Sequence, residues 1–169
     1  SRILANGTPR RIQPPLALPR FTFSGSMGLH FNGQDIQVIA APNAHTDGDA
    51  LIWFPGLDIL VVGDVLRAND WPSINRPDAG TLDGMLGALG KVIGLAGPKT
   101  KIVTSHGEVV GRDAAIAQRD MILAARERIG ALIAQGRTVT GFANVEEDFA
   151  DNAVWSYGLL SRDKHVMPW

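Results

Sequence analysis

The sequence predicts an α/β (α+β) fold in which a mostly antiparallel, mixed sheet carries helices on one face. Strand patterns fill the first part of the chain, helical patterns dominate the later part, and a short strand at 101–104 separates two helices. A sheet packed under helices produces this order of elements, and a late strand between helices fits the edge of such a sheet.

The first elements are an extended arm and a hairpin. Residues 1–20 are predicted to form the arm, separate from a folded part at 21–169, because prolines punctuate them at Pro9, Pro14, Pro15 and Pro19. Residues 21–23 are predicted as a short strand. Residues 28–31 and 35–40 alternate between apolar and polar side chains around Asn32-Gly33. Asn-Gly supplies the positive φ values of a tight turn, so this stretch is a predicted β-hairpin.

A second strand pair and a helix follow. Residues 50–54 and 59–62 flank a Pro55-Gly56 turn and are almost wholly apolar, as expected for strands covered on both faces. A polar loop runs from 66 to 80. Thr81 then caps a helix that Gly97-Pro98 ends. Its apolar stripe consists of Leu82, Leu86, Leu89, Ile93 and Ala96.

The later elements alternate between strand and helix. Residues 101–104 form the strand that leads to His106, and Asp113 is predicted to cap the longest helix, which ends at Gly136. The apolar stripe of that helix consists of Ile122, Ala125, Ile129 and Leu132. A shorter amphipathic segment carries Phe142, Val145 and Phe149.

Composition excludes several classes of function. With a net charge of −1, 45% hydrophobic and 20% charged residues, the chain is not expected to bind nucleic acid. The arginines near the start are expected to solvate a loop: Arg2, Arg10, Arg11 and Arg20. There are no cysteines, which excludes disulfides and thiolate zinc sites. No apolar run approaches the ~20 residues that cross a bilayer, so no membrane partner is expected.

The beginning of the chain suggests processing. The first residue is Ser1 rather than Met, so we expect that a leader, a tag or a whole segment has been removed. The chain contains no signal peptide, and its location, periplasmic or cytoplasmic, stays open.

Three residues of metal-ligand type follow predicted strands: His45, Asp64 and His106. Each has an ordinary structural explanation when taken alone, as a loop histidine or a hydrogen-bonded aspartate. A carboxylate at the end of a buried strand is nevertheless costly without a charged partner or a metal. Strand ends can aim side chains at a common point, so the three together predict a functional site.

The motifs around these residues resemble the second half of a metallo-β-lactamase-fold hydrolase. They are His45-Thr46-Asp47-Gly48-Asp49, Gly63-Asp64 and Ser105-His106-Gly107, and the resemblance runs from about residue 21 to about 135. It implies that residues 21–169 are the C-terminal half of an αββα sandwich. It also implies that His45 binds a first zinc, His106 a second, and catalytic Asp64 bridges both. The intact enzyme would then use a metal-activated water to hydrolyse a small lactone, thioester, ester or β-lactam.

One part of the family pattern is missing. The upstream His-x-His-x-Asp-His motif does not occur in this chain, so zinc should bind weakly or not at all to the chain alone, which should be inactive. The expected partner is a missing N-terminal half or a second copy of the chain. A lone half would expose the inner face of its sheet, expected to include some of Leu51, Trp53, Leu60 and Val62. The alternative is a non-catalytic binding or assembly module that keeps the fold without the metal site.

Other polar and aromatic residues have weaker roles. Asp47 and Asp49 are expected to support the turn or the metal site, and either is a candidate for contact with substrate. Trp71 is a candidate wall of the substrate pocket, with an aromatic lid packed on the core as the equal alternative. His30 and His165 are expected to be exposed to solvent.

Overall fold

The computed structural model describes residues 14, 16, 19–68 and 70–136. Nearly all of the predicted arm, the segment with Phe142, Val145 and Phe149, and His165 lie outside these residues. The described strands and α-helices are, in chain order, β1 (Ser26–Phe31), β2 (Gln34–Ala40), β3 (Ala50–Phe54), β4 (Ile59–Gly63), α1 (Leu82–Leu95), β5 (Lys101–Thr104) and α2 (Arg112–Ala134). No helix in this part of the chain is long and apolar enough to span a membrane.

The five strands form one mixed sheet in the order β1-β2-β3-β4-β5. The first three pairs are antiparallel, β4 and β5 are parallel, and β5 lies at the edge, as predicted. The predicted hairpin is confirmed: Asn32 and Gly33 have φ values of 50° and 74° and join β1 to β2. Residues 21–23 are not a strand. Pairing to β2 begins only at Gly25, whose carbonyl oxygen accepts from the Ala40 amide at 2.7 Å.

The parallel pair β4–β5 fixes where the strands end. Near their starts, the Asp58 carboxylate accepts from the Thr100 hydroxyl at 2.6 Å, and the Asp58 carbonyl accepts from the Lys101 amide at 3.0 Å. Helix α1 makes the crossover between the two strands. Because parallel strands run in the same direction, the residues that follow Gly63 and Thr104 emerge at the same edge of the sheet.

The two faces of the sheet differ from the prediction. Leu51, Leu60 and Val62 are fully buried beneath the helices, and Trp53 packs against the same core, so these four residues are not on an exposed face. The opposite surface, which we call the open face, carries four partly exposed residues: Ile52, Phe54, Ile59 and Val61. The sequence could not distinguish the faces because both are apolar in β3 and β4.

The helices follow their predicted patterns with two differences. Thr81 caps α1 as predicted, and its hydroxyl accepts from the Gly84 amide at 3.0 Å. Helix α2 begins two residues earlier than predicted, with Gly111 as its cap, and Asp113 lies in its first turn. A carboxylate there still interacts favourably with the helix dipole. Ile129 of the predicted buried stripe is 38% exposed because it lines an open groove.

Candidate functional site

The ends of β4 and β5 bring Asp64 and His106 together. Gly63, with φ 58°, ends β4 at a bulge and turns the chain, and its carbonyl oxygen accepts from the Ser105 amide at 3.2 Å. A side chain rarely tolerates such a positive φ, which favours glycine at this position. Asp64 directly follows Gly63, and His106 directly follows Ser105. The backbone hydrogen bond between Gly63 and Ser105 therefore fixes the separation of the two donors.

The Asp64 carboxylate lies between two imidazoles. Its Oδ1 is 3.2 Å from Nε2 of His106, and its Oδ2 is 4.0 Å from Nε2 of His45. The side chains of His45 and Asp64 are 20% and 29% exposed, whereas that of His106 is 57% exposed. The structure therefore brings all three predicted donors together, with each carboxylate oxygen facing a different ring.

A backbone carbonyl orients His45. Its Nδ1 lies 2.8 Å from the carbonyl oxygen of Ser73. A carbonyl only accepts, so this contact assigns the hydrogen to Nδ1, and the neutral ring then carries its lone pair on Nε2. That lone pair faces a carboxylate oxygen, which is also an acceptor. Two acceptors at this distance can share a bound cation or the two hydrogens of one water molecule. Metal-binding histidines commonly donate their second ring N–H to a backbone carbonyl, as His45 does to Ser73.

The loop around His45 is held against residues 73–81. The His45 carbonyl accepts from the Asn75 amide at 2.9 Å, and the Asn43 carbonyl accepts from the Thr81 amide at 2.8 Å. Gly80 packs so closely that a Cβ there would lie 2.1 Å from the His45 carbonyl oxygen. This loop can therefore hold the imidazole in one place, which a site for a metal or a substrate requires.

The backbone of His106 is fixed by its neighbours. Its carbonyl oxygen accepts from the Ala68 amide at 3.2 Å and from the Thr104 hydroxyl at 2.8 Å. Gly107 has φ 101°, and a Cβ there would lie 2.4 Å from the Ala68 carbonyl oxygen. The glycine of the Ser-His-Gly motif is thus needed so that the strand end can approach the loop that follows Asp64.

The three candidate pocket residues have different surroundings. Both oxygens of Asp49 accept from Thr46, Oδ2 from its amide at 2.7 Å and Oδ1 from its hydroxyl at 3.0 Å. Asp47 is exposed, and its amide donates to the Asp78 carbonyl at 2.9 Å. Trp71 lines an apolar groove of about 250 Å³ with Leu82 and residues of α2 that include the buried Met121 and Ile122, and none of the three donors lines this groove. Contact of these residues with substrate stays a prediction.

The donor set fits zinc in kind but not in number. Donor atoms on one tetrahedral zinc lie about 3.3 Å apart, since each is about 2.0–2.2 Å from the ion. The contact between Asp64 and His106 has this spacing, whereas the contact between Asp64 and His45 is longer. Among the described residues, no three His, Cys, Asp or Glu side chains are arranged to hold one ion. The described chain thus offers two donor pairs that share Asp64, and each pair needs further ligands.

Comparison with known proteins identifies the fold. No protein-family profile matches the chain, and no curated protein matches it in sequence. Among solved structures, a metallo-β-lactamase from Pontibacter korlensis is 20% identical, with a TM-score of 0.53 over 62% of this chain and 49% of its own. A metallo-β-lactamase family protein from Thermus thermophilus is 20% identical, with a TM-score of 0.56 over 76% and 44%. TMB-1 is 20% identical, with a TM-score of 0.51 over 63% and 49%.

These matches confirm the predicted fold. The chain has a metallo-β-lactamase-like fold, and its mixed sheet with two helices matches half of that fold. The chain spans about half the length of the structures that it matches. At this level of identity the likeness shows the fold alone, so ligands and activity must be argued from the residues themselves.

Proposed function

We propose that this chain is part of a zinc-dependent hydrolase and that His45, Asp64 and His106 are its contribution to the metal site. The observation that carries the proposal is the position of Asp64, whose two oxygens face the Nε2 atoms of two different histidines. A carboxylate in that position can bridge two ions, with one imidazole on each. The hydrolase-type fold of the matched structures supports the same assignment.

The chain's own residues orient the site. Ser73 holds the His45 ring so that Nε2 points to the site, and the bond between Ser105 and Gly63 keeps Asp64 beside His106. Zinc, when bound, lowers the pKa of a coordinated water and polarises the scissile carbonyl or ester. The substrate class proposed is a small lactone, thioester, ester or β-lactam, and Asp47, Asp49 and Trp71 stay candidates for its pocket.

The remaining ligands would come from a partner. Zinc sites normally use at least three protein ligands for each ion, and the described residues supply fewer. The open face, with Ile52, Phe54, Ile59 and Val61, is an apolar surface on which a second sheet could pack. We propose that the missing N-terminal half, or a second copy of the chain, covers this face and completes the site.

A binding or assembly module is the second candidate function. The absence of a three-ligand group among the described residues favours it, because such a module could keep the fold and the open face without metal chemistry. Under this alternative, the contact between Asp64 and His106 would be an ordinary hydrogen bond from Nε2–H to the carboxylate.

Zinc content separates the two candidates. The test uses protein expressed from the complete gene and measures bound zinc by mass spectrometry, together with hydrolysis of a lactone, a thioester, an ester and a β-lactam. We expect close to two zinc ions per chain in the wild type and fewer in His45→Ala and in His106→Ala. His30→Ala is the matched control, because His30 is an exposed histidine that pairs with Asp35 at 2.9 Å in a hairpin. A zinc-free wild-type protein without activity would favour the module.

A further inference from the structure

A buried glutamine of α2 contacts the loop that carries Asp64. Gln118 is fully buried, and its Nε2 donates to the Val65 carbonyl oxygen at 2.9 Å. Its Oε1 accepts from the Arg67 amide at 3.2 Å. The Gln118 amide group therefore forms hydrogen bonds with the backbone on both sides of Leu66, the Val65 carbonyl and the Arg67 amide.

The position of this contact connects it to the candidate site. Residues 64–68 begin with the Asp64 carboxylate and end with Ala68, whose amide donates to the His106 carbonyl at 3.2 Å. Val65 and Leu66 are fully buried, so the middle of the loop is anchored while its ends reach the two donors. Gln118 thus bonds to the loop between Asp64 and the residue that contacts His106.

A polar side chain at this position needs a reason. The neighbouring buried residues of α2, Ala115, Met121 and Ile122, are small or apolar. A buried amide costs free energy unless its hydrogen bonds are made. An apolar side chain of similar size would fill the same volume, but the Val65 carbonyl and the Arg67 amide would lose these bonds.

We propose that Gln118 is a positioning residue that holds the loop of residues 64–68 so that Asp64 and His106 keep their separation. The proposal rests on the proposed metal function for its purpose, but its geometry can be tested without metal. A residue that acts only on global stability would loosen the whole fold, whereas a positioning residue loosens this loop first.

The test compares Gln118→Met with Met121→Ala in the full chain. Both change the buried side of α2, but only the first removes the two bonds to the loop. NMR would measure amide hydrogen exchange at Ala68 and Ser105, with Lys101 and Val110 as references. The same spectra would report the ring resonances of His106. Gln118→Glu keeps an acceptor for the Arg67 amide and serves the same measurement if Gln118→Met does not fold.

We expect exchange at Ala68 and Ser105 to become at least about tenfold faster in Gln118→Met than in Met121→Ala, because the first variant loses two buried hydrogen bonds to the loop. The His106 ring resonances should shift in Gln118→Met alone. In the protein expressed from the complete gene, titration with zinc chloride should show a zinc affinity at least about tenfold lower in Gln118→Met than in the wild type. Unchanged exchange, or zinc affinity equal to that of wild type in a folded variant, would overturn the positioning role. Local loosening, with no zinc bound by the wild-type protein expressed from the complete gene, would keep that role and remove the proposed metal function.

Discussion

Asp64 and His106 meet at the ends of two parallel strands, with Oδ1 of the carboxylate 3.2 Å from Nε2 of the imidazole. The other carboxylate oxygen faces His45, which arrives from a different loop after β2. Three distant parts of the sequence therefore converge on one carboxylate. Because Asp64 takes part in both contacts, its removal should affect the site more than loss of either histidine.

The first prediction concerns Asp64. Asp64→Asn keeps the size of the side chain but removes the charge, so it should lower zinc affinity of the complete protein more than about 100-fold, beyond the usual effect of residues that only support a ligand. Zinc titration with a competing chelator measures this. Asp83→Asn is the control, since Asp83 forms an exposed ion pair with Arg126 at 3.2 Å on the helices. Equal affinity in the two variants would contradict the bridging role.

Local sequence signals were sufficient for most elements. Asn32-Gly33 predicted the hairpin because its positive φ values are a property of those two residues. Thr81 predicted the start of α1 because a threonine hydroxyl accepts from an amide three residues later. The positions of Asp64 and His106 just after β4 and β5 could be predicted in a similar way, because each follows a short, mostly apolar strand. His45 lies farther from its strand, five residues after the last residue of β2.

Features that depend on tertiary packing could not be predicted in this way. Leu60 and Val61 are equally apolar, and only the position of the helices decides that Leu60 is buried in the core. Ser73 orients His45 through its carbonyl, a group that every residue has. Gln118 did leave a signal, a polar residue on the buried side of α2, but its partners in the loop are set by the fold.

The second prediction concerns the packing of α1 against the His45 loop. In Gly84→Ala the added Cβ would lie 1.9 Å from the Asn43 carbonyl oxygen, so the loop or the helix must move. We expect a loss of about 1–3 kcal/mol in the free energy of unfolding. In Gly87→Ala, in the same helix, the Cβ meets nothing within 4 Å. That variant should gain about 0.5–1 kcal/mol. Urea unfolding followed by circular dichroism compares them, and similar effects would refute the close packing.

The third prediction separates two roles of Asp49. Both of its oxygens accept from Thr46, so Asp49→Ala should lower the free energy of unfolding by about 1–3 kcal/mol, with a smaller loss in Asp49→Asn, which keeps one acceptor. Urea unfolding measures the stability, and the KM of the complete protein for a substrate of the proposed hydrolysis tests contact with substrate. A raised KM at unchanged stability would assign Asp49 to the substrate pocket instead.

The fourth prediction concerns the open face. Burying an apolar side chain contributes about 1.5–3 kcal/mol, so a surface with Ile52, Phe54, Ile59 and Val61 favours association. We expect the chain to self-associate or to bind its missing half. Val61→Lys should give a folded monomer, because Val61 is partly exposed on this face. Leu60→Lys, one residue earlier, should unfold the chain because Leu60 is fully buried on the other side.

Sedimentation velocity and circular dichroism of the three proteins test this prediction. The contrast between neighbouring residues matters, because loss of assembly in Val61→Lys with retained helix content cannot come from unfolding. One result would contradict the prediction: the wild-type chain stays a folded monomer at all concentrations without a partner, and the arm at 1–20 protects its open face. In that case the remaining zinc ligands could not come from a protein that packs on this face.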